Sequence, residues 1–287
     1  MTQPSIALCT LVLNEIEWLA RLYKQHKDWP GLSRWVFVES ADRVYAETNP
    51  SMVTSRGLST DGTTEFLEEL CKTDDRIVHI KYGTSTHEDP AQGKCASRQQ
   101  YLDSLEDVQP KYFIVVDADE FYSANAQLDV IALMENDRRS SAFIFKHRDI
   151  WHPACLAGTD LFRHEVIGGF WDIPYCRNWR WCRNLTYSVN HNTPDLRGLG
   201  LDRRLRRFDN VPLMPYFVHM GFACDPQIRL AKNRYYAARG ESKDPKRSWY
   251  VESRAAFDTW RPGKSLPRGA RVCLYDGEIP ECFKESE

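Results

Sequence analysis

Two carboxylates one residue apart, Asp117 and Asp119, close the run Tyr112-Phe113-Ile114-Val115-Val116-Asp117-Ala118-Asp119-Glu120-Phe121. Its apolar and aromatic residues of β type deliver the acids to the end of a buried strand. Hard carboxylate oxygens there suit Mg²⁺ or Mn²⁺, ions that commonly join a protein to the phosphates of a substrate. Taken alone, a DxD pair is more often a polar exit from a strand, so its meaning depends on its neighbours. Lys94 and Arg98 lie four residues apart on one helical face. Both can neutralise an anionic ligand, and the Arg98 guanidinium can also fork onto a phosphate or a carboxylate.

The elements that must position these groups read as alternating strands and helices. Ile6–Leu13 is an apolar run of strand length followed by Asn14-Glu15, and Ile16, Leu19, Leu22 and Tyr23 recur at helical spacing behind it. Trp35–Val38 predicts a second strand ending on Glu39, and the polar stretch Ser40–Ser59 predicts an unusually long loop, functional or mobile. Ser59-Thr60-Asp61-Gly62 opens a helix with hydroxyl and carboxylate groups where orphan amides need them. Ile77–Ile80 is a third strand, Gln92–Leu105 a helix and Tyr112–Val116 a fourth strand. This alternation predicts an α/β fold with a mostly parallel sheet, whose ligands bind beyond the carboxyl ends of the strands. Farther on, Ala142–Lys146 reads as an antiparallel edge strand, Pro215–Met220 as a strand and Pro226–Arg239 as a helix, with an irregular arm at the end.

Composition excludes several classes. The 287 residues are 42% hydrophobic and 27% charged with a mean hydropathy of −0.54, ordinary for a globular chain and unlike a membrane protein. No membrane-length apolar stretch or signal-peptide pattern occurs, so the expected location is cytoplasmic. Nine cysteines without a CxxC pair suggest neither a complete disulfide framework nor a zinc ribbon. The net charge of −2 hides an asymmetry: residues 177–271 hold 20 Lys and Arg against 8 Asp and Glu, leaving −14 for the remainder. Such a half suits an anionic partner, or is simply a solvated basic face.

The order LNE, EWL, a strand ending in Glu39, STDGT, Lys94 to Arg98 and VDADEF resembles the GT-A glycosyltransferases, and specifically the family 2-like branch, over residues 5–240. The resemblance implies a nucleotide-sugar-binding part at 1–122, an acceptor part at 123–240 and a C-terminal arm at 241–287. It implies donor contacts from Glu15, Glu39, Asp61, Lys94, Arg98, Asp117 and Lys232, although Asp61 also reads as a helix cap and Glu39 as a surface carboxylate. Asp117, Asp119 and His219 are the implied ligands of Mn²⁺ or Mg²⁺, with Glu120 supporting them. The segment between Glu39 and Ser59 departs from the family pattern, which leaves the base-binding residues open.

The implied reaction moves a sugar from a nucleotide-diphosphate sugar to an acceptor. An inverting enzyme needs a carboxylate base near the acceptor. Asp172, in Gly168-Gly169-Phe170-Trp171-Asp172, is the first candidate, with Glu165 and Asp195 behind it; a retaining enzyme needs none. Trp171, Trp179, Trp181, Trp249 and Trp260 share the second half with Arg203-Arg204 and Arg206-Arg207. Aromatics alone suit a carbohydrate or lipid-linked acceptor, whereas aromatics with the basic surplus of 177–271 suit a modified base in DNA. The contrasting readings are a nucleotidyltransferase, which lacks its usual glycine-rich phosphate loop here, and a non-catalytic nucleic-acid-binding module on the same fold.

Overall fold

Strand β1 (Ile6–Val12) is buried almost throughout and runs parallel to both neighbours, β2 (Leu32–Ala41) and β4 (Tyr112–Val115). β3 (Ile77–Thr84) pairs with β2, also in parallel. The computed structural model describes residues 3–150, 162, 164–167, 176–188, 191–194, 205–208, 214–220, 226–239 and 271–284. Alternation along the strands sorts the core. Ile6, Leu8, Trp35, Phe37, Tyr112 and Ile114 meet Trp18, Leu19 and Leu22 of α1 (Ile16–His26), Leu67 of α3 (Thr63–Thr73), and Val130 and Met134 of α5 (Ala124–Asn136). Ala7, Cys9, Val36, Val38, Phe113 and Val115 face the other way, against Tyr101 and Leu102 of α4 (Pro90–Asp103). With both faces covered, the strands read as continuous apolar runs, and each fully buried large side chain contributes roughly 1.5–3 kcal/mol.

Beyond β4 the sheet becomes mixed. β9 (Cys176–Arg180) inserts antiparallel between β4 and β6 (Ala142–Ile144), and β10 (Leu205–Arg207) closes the edge in parallel with β6. The seven strands run β10-β6-β9-β4-β1-β2-β3. A second sheet, β12-β8-β7-β11-β5, joins β5 (Glu120–Tyr122), β7 (Lys146–Ile150), β8 (His164–Ile167), β11 (Tyr216–His219) and β12 (Arg271–Leu274). Among the described residues no helix is long and apolar enough to cross a membrane.

Two expectations change. The run at 142–146 is not one edge strand: Phe145 divides it into β6, interior to the first sheet, and β7 of the second. The stretch 40–59 is not a bare loop, since β2 continues to Ala41 and helix α2 (Arg43–Thr48) and a 3₁₀ turn at Pro50–Met52 follow. The last described residues pack into the main core. Phe283 meets Trp18, Phe121 and Phe162, and the Gln25 amide donates to Glu281 (2.6 Å) and accepts from the Cys282 N–H (2.9 Å).

Candidate active site

The turn after β1 and the STDGT segment form one interlock. Asn14 adopts a left-handed φ of 56°, and three successive amides at the start of α1 find acceptors: Asn14 N–H on Ser59 Oγ, Glu15 N–H on Thr63 Oγ1 and Ile16 N–H on Asp61 Oδ2, each at 3.0 Å. In return Asn14 Oδ1 accepts the Thr60 N–H at 2.9 Å, and its amide donates to the Met52 carbonyl at 2.7 Å. The Glu15 and Ile16 amides are among those a helix leaves unsatisfied at its start, and distant side chains cap them. Asp61 Oδ1 also takes the Thr63 N–H at 3.0 Å, beside Gly62, whose φ of 100° makes the entry into α3. Asp61 is therefore engaged as a double cap.

Glu39 is likewise turned inward. It is wholly buried, accepting from Ser59 N–H and Thr64 Oγ1 (both 2.7 Å) and lying 3.0 Å from His79 Nε2. Burial opposes its ionisation, but these partners, His79 first, hold its carboxyl down at about 2. Glu39 and Asp61, both expected as donor contacts, are engaged in these hydrogen bonds, and neither is among the residues lining the two parts of the cleft described next.

The cleft lies beyond the carboxyl ends of β1 and β4, where α4 and helix α6 (Pro226–Ala238) meet. One part, about 400 Å³, is lined by Glu15, Lys94, Arg98, Asp117, Asp119, Arg177, His219, Lys232 and Arg239, among others. It shares Leu11, Glu15, Lys94, Lys232 and Tyr236 with a less polar part of about 180 Å³ that reaches Asp42, Tyr45, Gly93 and Tyr235. Lys232 Nζ is 3.6 Å from Glu15 Oε1, and Lys94 Nζ lies 5.6 Å from the centre of the Tyr235 ring. Burial pushes Glu15 up to about 7 against the pull of Lys232. Burial, with Arg239 and Arg98 nearby, pushes Lys94 down to about 8.

The second sheet carries His219 to the acidic strand end. β11 pairs with β5 on one side and β7 on the other, so that His219 stands opposite both Glu120 and Asp149, and the Met220 N–H donates to the Asp119 carbonyl at 2.7 Å. His219 Nε2 is 3.5 Å from Asp119 Oδ2, and Nδ1 is 2.5 Å from Asp149 Oδ1. Burial disfavours the imidazolium, yet the flanking Asp119 and Asp149 hold it well above the usual histidine range. Burial would equally raise Asp119, and the facing His219 brings it below the usual carboxylate range instead.

Asp117, the third expected ligand, lies among cations. Its carboxylate is paired with the Arg177 guanidinium and lies 3.7 Å from Arg98 Nη2, and these cations outweigh burial and lower its pKa. Arg177 also donates to Glu120 Oε1 at 2.6 Å, while Glu120 Oε2 accepts the Asp117 N–H at 3.0 Å. Among the described residues no three of His, Cys, Asp and Glu are grouped as a metal cage. Asp119 and His219 are the pair that converges, one carboxylate and one imidazole beside an open cavity. That donor set fits a divalent cation whose remaining ligands are phosphate and water oxygens.

Contributors that escaped the sequence reading include Arg177, Asp149, His147, Asp42 and Arg239. Arg177 was legible only as the start of a basic region. Asp42 follows β2 directly, in the position where α/β sheets bind ligands, but reading that strand as ending at Glu39 hid it. Asp42 Oδ1 caps α2 by accepting the Val44 N–H at 2.9 Å, and among the described residues its shielded Oδ2 has no hydrogen-bond partner. Elsewhere the expectations scatter. Glu165 is held by Arg148, with Nε at 2.5 Å, so it is not a free base. Trp179 is buried and stacks on Phe113 (6.4 Å, 15°), with Trp181 against the same ring, so both serve the core. Asp172, Asp195, Trp171, Trp249, Trp260, Arg203 and Arg204 lie outside the described residues.

No protein-family model matches the sequence, and no curated protein matches it. Among solved structures, the chain is similar to S. aureus TarS 1-349 at 11% identity and a TM-score of 0.41, covering 82% of this chain and 65% of that one. In a second S. aureus TarS structure the figures are 9% and 0.41, covering 81% and 39%. The chain thus spans less than two thirds of either TarS chain. The mannosyltransferase PcManGT from Pyrobaculum calidifontis, in complex with GDP-Man and Mn²⁺, is similar at 13% identity and a TM-score of 0.40, covering 89% of this chain and 67% of that one.

Proposed function

We propose that the cleft binds a nucleotide-diphosphate sugar together with Mn²⁺ or Mg²⁺ and that the protein is a GT-A type glycosyltransferase. The observation that carries this reading is the Asp119–His219 pair opening onto a polar cavity ringed by Lys94, Arg98, Lys232 and Arg239. A divalent cation held by Asp119 and His219 would supply charge neutralisation of the diphosphate leaving group. The four cationic side chains take the outer phosphate oxygens and orient the donor, fixed polar groups aimed where negative charge grows during transfer. The less polar part of the cleft accepts the nucleobase between Tyr45, Tyr235 and Gly93, beside Asp42. Asp172 is the proposed general base.

The acceptor we favour is a modified base in DNA. Support comes from the basic surplus of 177–271. A carbohydrate or lipid-linked acceptor leaves that surplus without a task. Duplex binding must weaken steeply with salt; absent binding at low salt, or salt-independent binding, rejects DNA.

The donor reading is tested by thermal shift with nucleoside diphosphates and their sugars, with and without Mn²⁺. One nucleotide at about 100 times its Kd stabilises by roughly 2.7 kcal/mol. Asp119→Ala removes the metal-dependent part and turnover, Asp42→Ala removes the preference among bases, and Asp172→Asn abolishes turnover without weakening donor binding. Lack of stabilisation by any nucleotide overturns the proposal.

A further inference from the structure

Asp149 has no place in the sequence motifs, yet it is 4% exposed and faces two imidazoles at once. Its Oδ1 lies 2.5 Å from His219 Nδ1 and its Oδ2 lies 3.3 Å from His147 Nε2. Both contacts follow from strand register. β7 and β11 run in parallel with Asp149 beside His219, and His147 sits two residues earlier on the same strand, so its side chain shares a face with Asp149. His147 is braced in turn by stacking on Phe217 at 5.8 Å and 27°. The 2.5 Å contact between Asp149 Oδ1 and His219 Nδ1 is a hydrogen bond, and with the carboxylate oxygen as its acceptor Nδ1 is the donor.

We propose that Asp149 is a positioning residue that holds the His219 ring with Nδ1–H donated to its carboxylate, leaving Nε2 directed at Asp119 as the nitrogen available to a divalent cation. The inference rests on the metal-dependent reading above and goes beyond it by assigning the group that orients the ligand. Outer carboxylates of this kind fix the tautomer and ring direction of a ligating histidine, and their loss typically costs 10–100-fold in metal affinity. Asp149→Asn is the informative change, because it preserves shape. An amide can turn its NH₂ toward Nδ1 and reward the tautomer protonated on Nε2, the wrong one for a ligand.

The experiment uses Mn²⁺ alone as the probe, titrated into the full chain and followed by the electron paramagnetic resonance of free Mn²⁺. Nitrogen modulation from ¹⁵N-labelled histidine reports direct ligation. Wild type is expected to bind with a histidine nitrogen on the ion, and Asp149→Asn to bind 10–100-fold more weakly with that modulation diminished. An Asp149→Asn protein that matches wild type in both measurements overturns the positioning role while leaving the metal reading intact. Wild-type Mn²⁺ binding that Asp119→Ala and His219→Ala leave unchanged overturns both. Should Asp149→Asn fail to fold, the wild type decides: with diamagnetic Zn²⁺ bound, the ¹⁵N spectrum must place the His219 proton on Nδ1, and a proton on Nε2 refutes the proposal.

Discussion

Replacing Arg177 by Met tests whether the acidic strand end depends on a cation supplied from another part of the chain. The residue is 5% exposed, pairs with Asp117 and donates to Glu120 Oε1 at 2.6 Å. Two hydrogen bonds between charged groups at roughly 1.5–3 kcal/mol each set the scale. Breaking a buried pair from one side costs about 3–5 kcal/mol, because it strands the opposite charge. The two acids do not share that loss equally. Asp117 keeps Arg98 at 3.7 Å, whereas Glu120 is 1% exposed and, among the described residues, its other oxygen is bonded only to the Asp117 N–H. Urea unfolding should therefore show Arg177→Met destabilised by about 3–5 kcal/mol. Arg177→Met with Glu120→Gln should recover more than half of that, and Arg177→Met with Asp117→Asn less. A loss below about 1 kcal/mol, within the range of an exposed pair, or a Glu120→Gln double variant no more stable than Arg177→Met, refutes the reasoning.

Other expectations follow from the same framework. His26 is wholly buried, with Nδ1 3.1 Å from the Leu22 carbonyl and Nε2 accepting the Tyr122 N–H at 3.1 Å, and burial pushes its pKa down to about 3. Since the unfolded chain takes up a proton near 6.5 and the folded one does not, its contribution is complete above that pH and is lost as pH falls toward 3. At about 1.36 kcal/mol per unit, urea midpoints should show roughly 2–3 kcal/mol gone by about pH 4.5, and His26→Gln should flatten that slope. Donor affinity should fall as pH rises from about 7 to 9, because Glu15 gains a negative charge near 7 and Lys94 loses its positive charge near 8; calorimetry on Lys94→Met should show a shallower decline. Asp61→Ala removes caps from two helices and should cost about 1–3 kcal/mol by urea unfolding; unchanged stability would mean the caps carry no weight and would free Asp61 for a donor role.

Much of the fold was legible because its signals are local. The apolar runs of β1, β2 and β4, the helical spacing behind Asn14-Glu15 and the capping groups of STDGT each express short-range backbone preference and burial. The four parallel strands follow from them, as does the delivery of Asp117 and Asp119 to a strand end. Even there, local signals left Glu39 and Asp61 open: carboxylates at a strand end and a helix start are compatible with binding a ligand or capping a neighbour, and the hydrogen bonds from Ser59, Thr64 and Ile16 are visible only in the tertiary structure.

The sequence by itself determined a strand-and-helix alternation ending in an acidic pair with cations on a nearby helix. Tertiary structure alone decided which residues accompany that pair. Arg177 reaches Asp117 and Glu120 because β9 inserts beside β4, and His219 meets Asp119 and Asp149 because β11 lies between β5 and β7. Asp42 enters the cleft because β2 runs two residues past Glu39. The physical reason is that strand register between segments many residues apart is set by the packing of whole sheet faces, and one residue of slip turns every side chain to the opposite side.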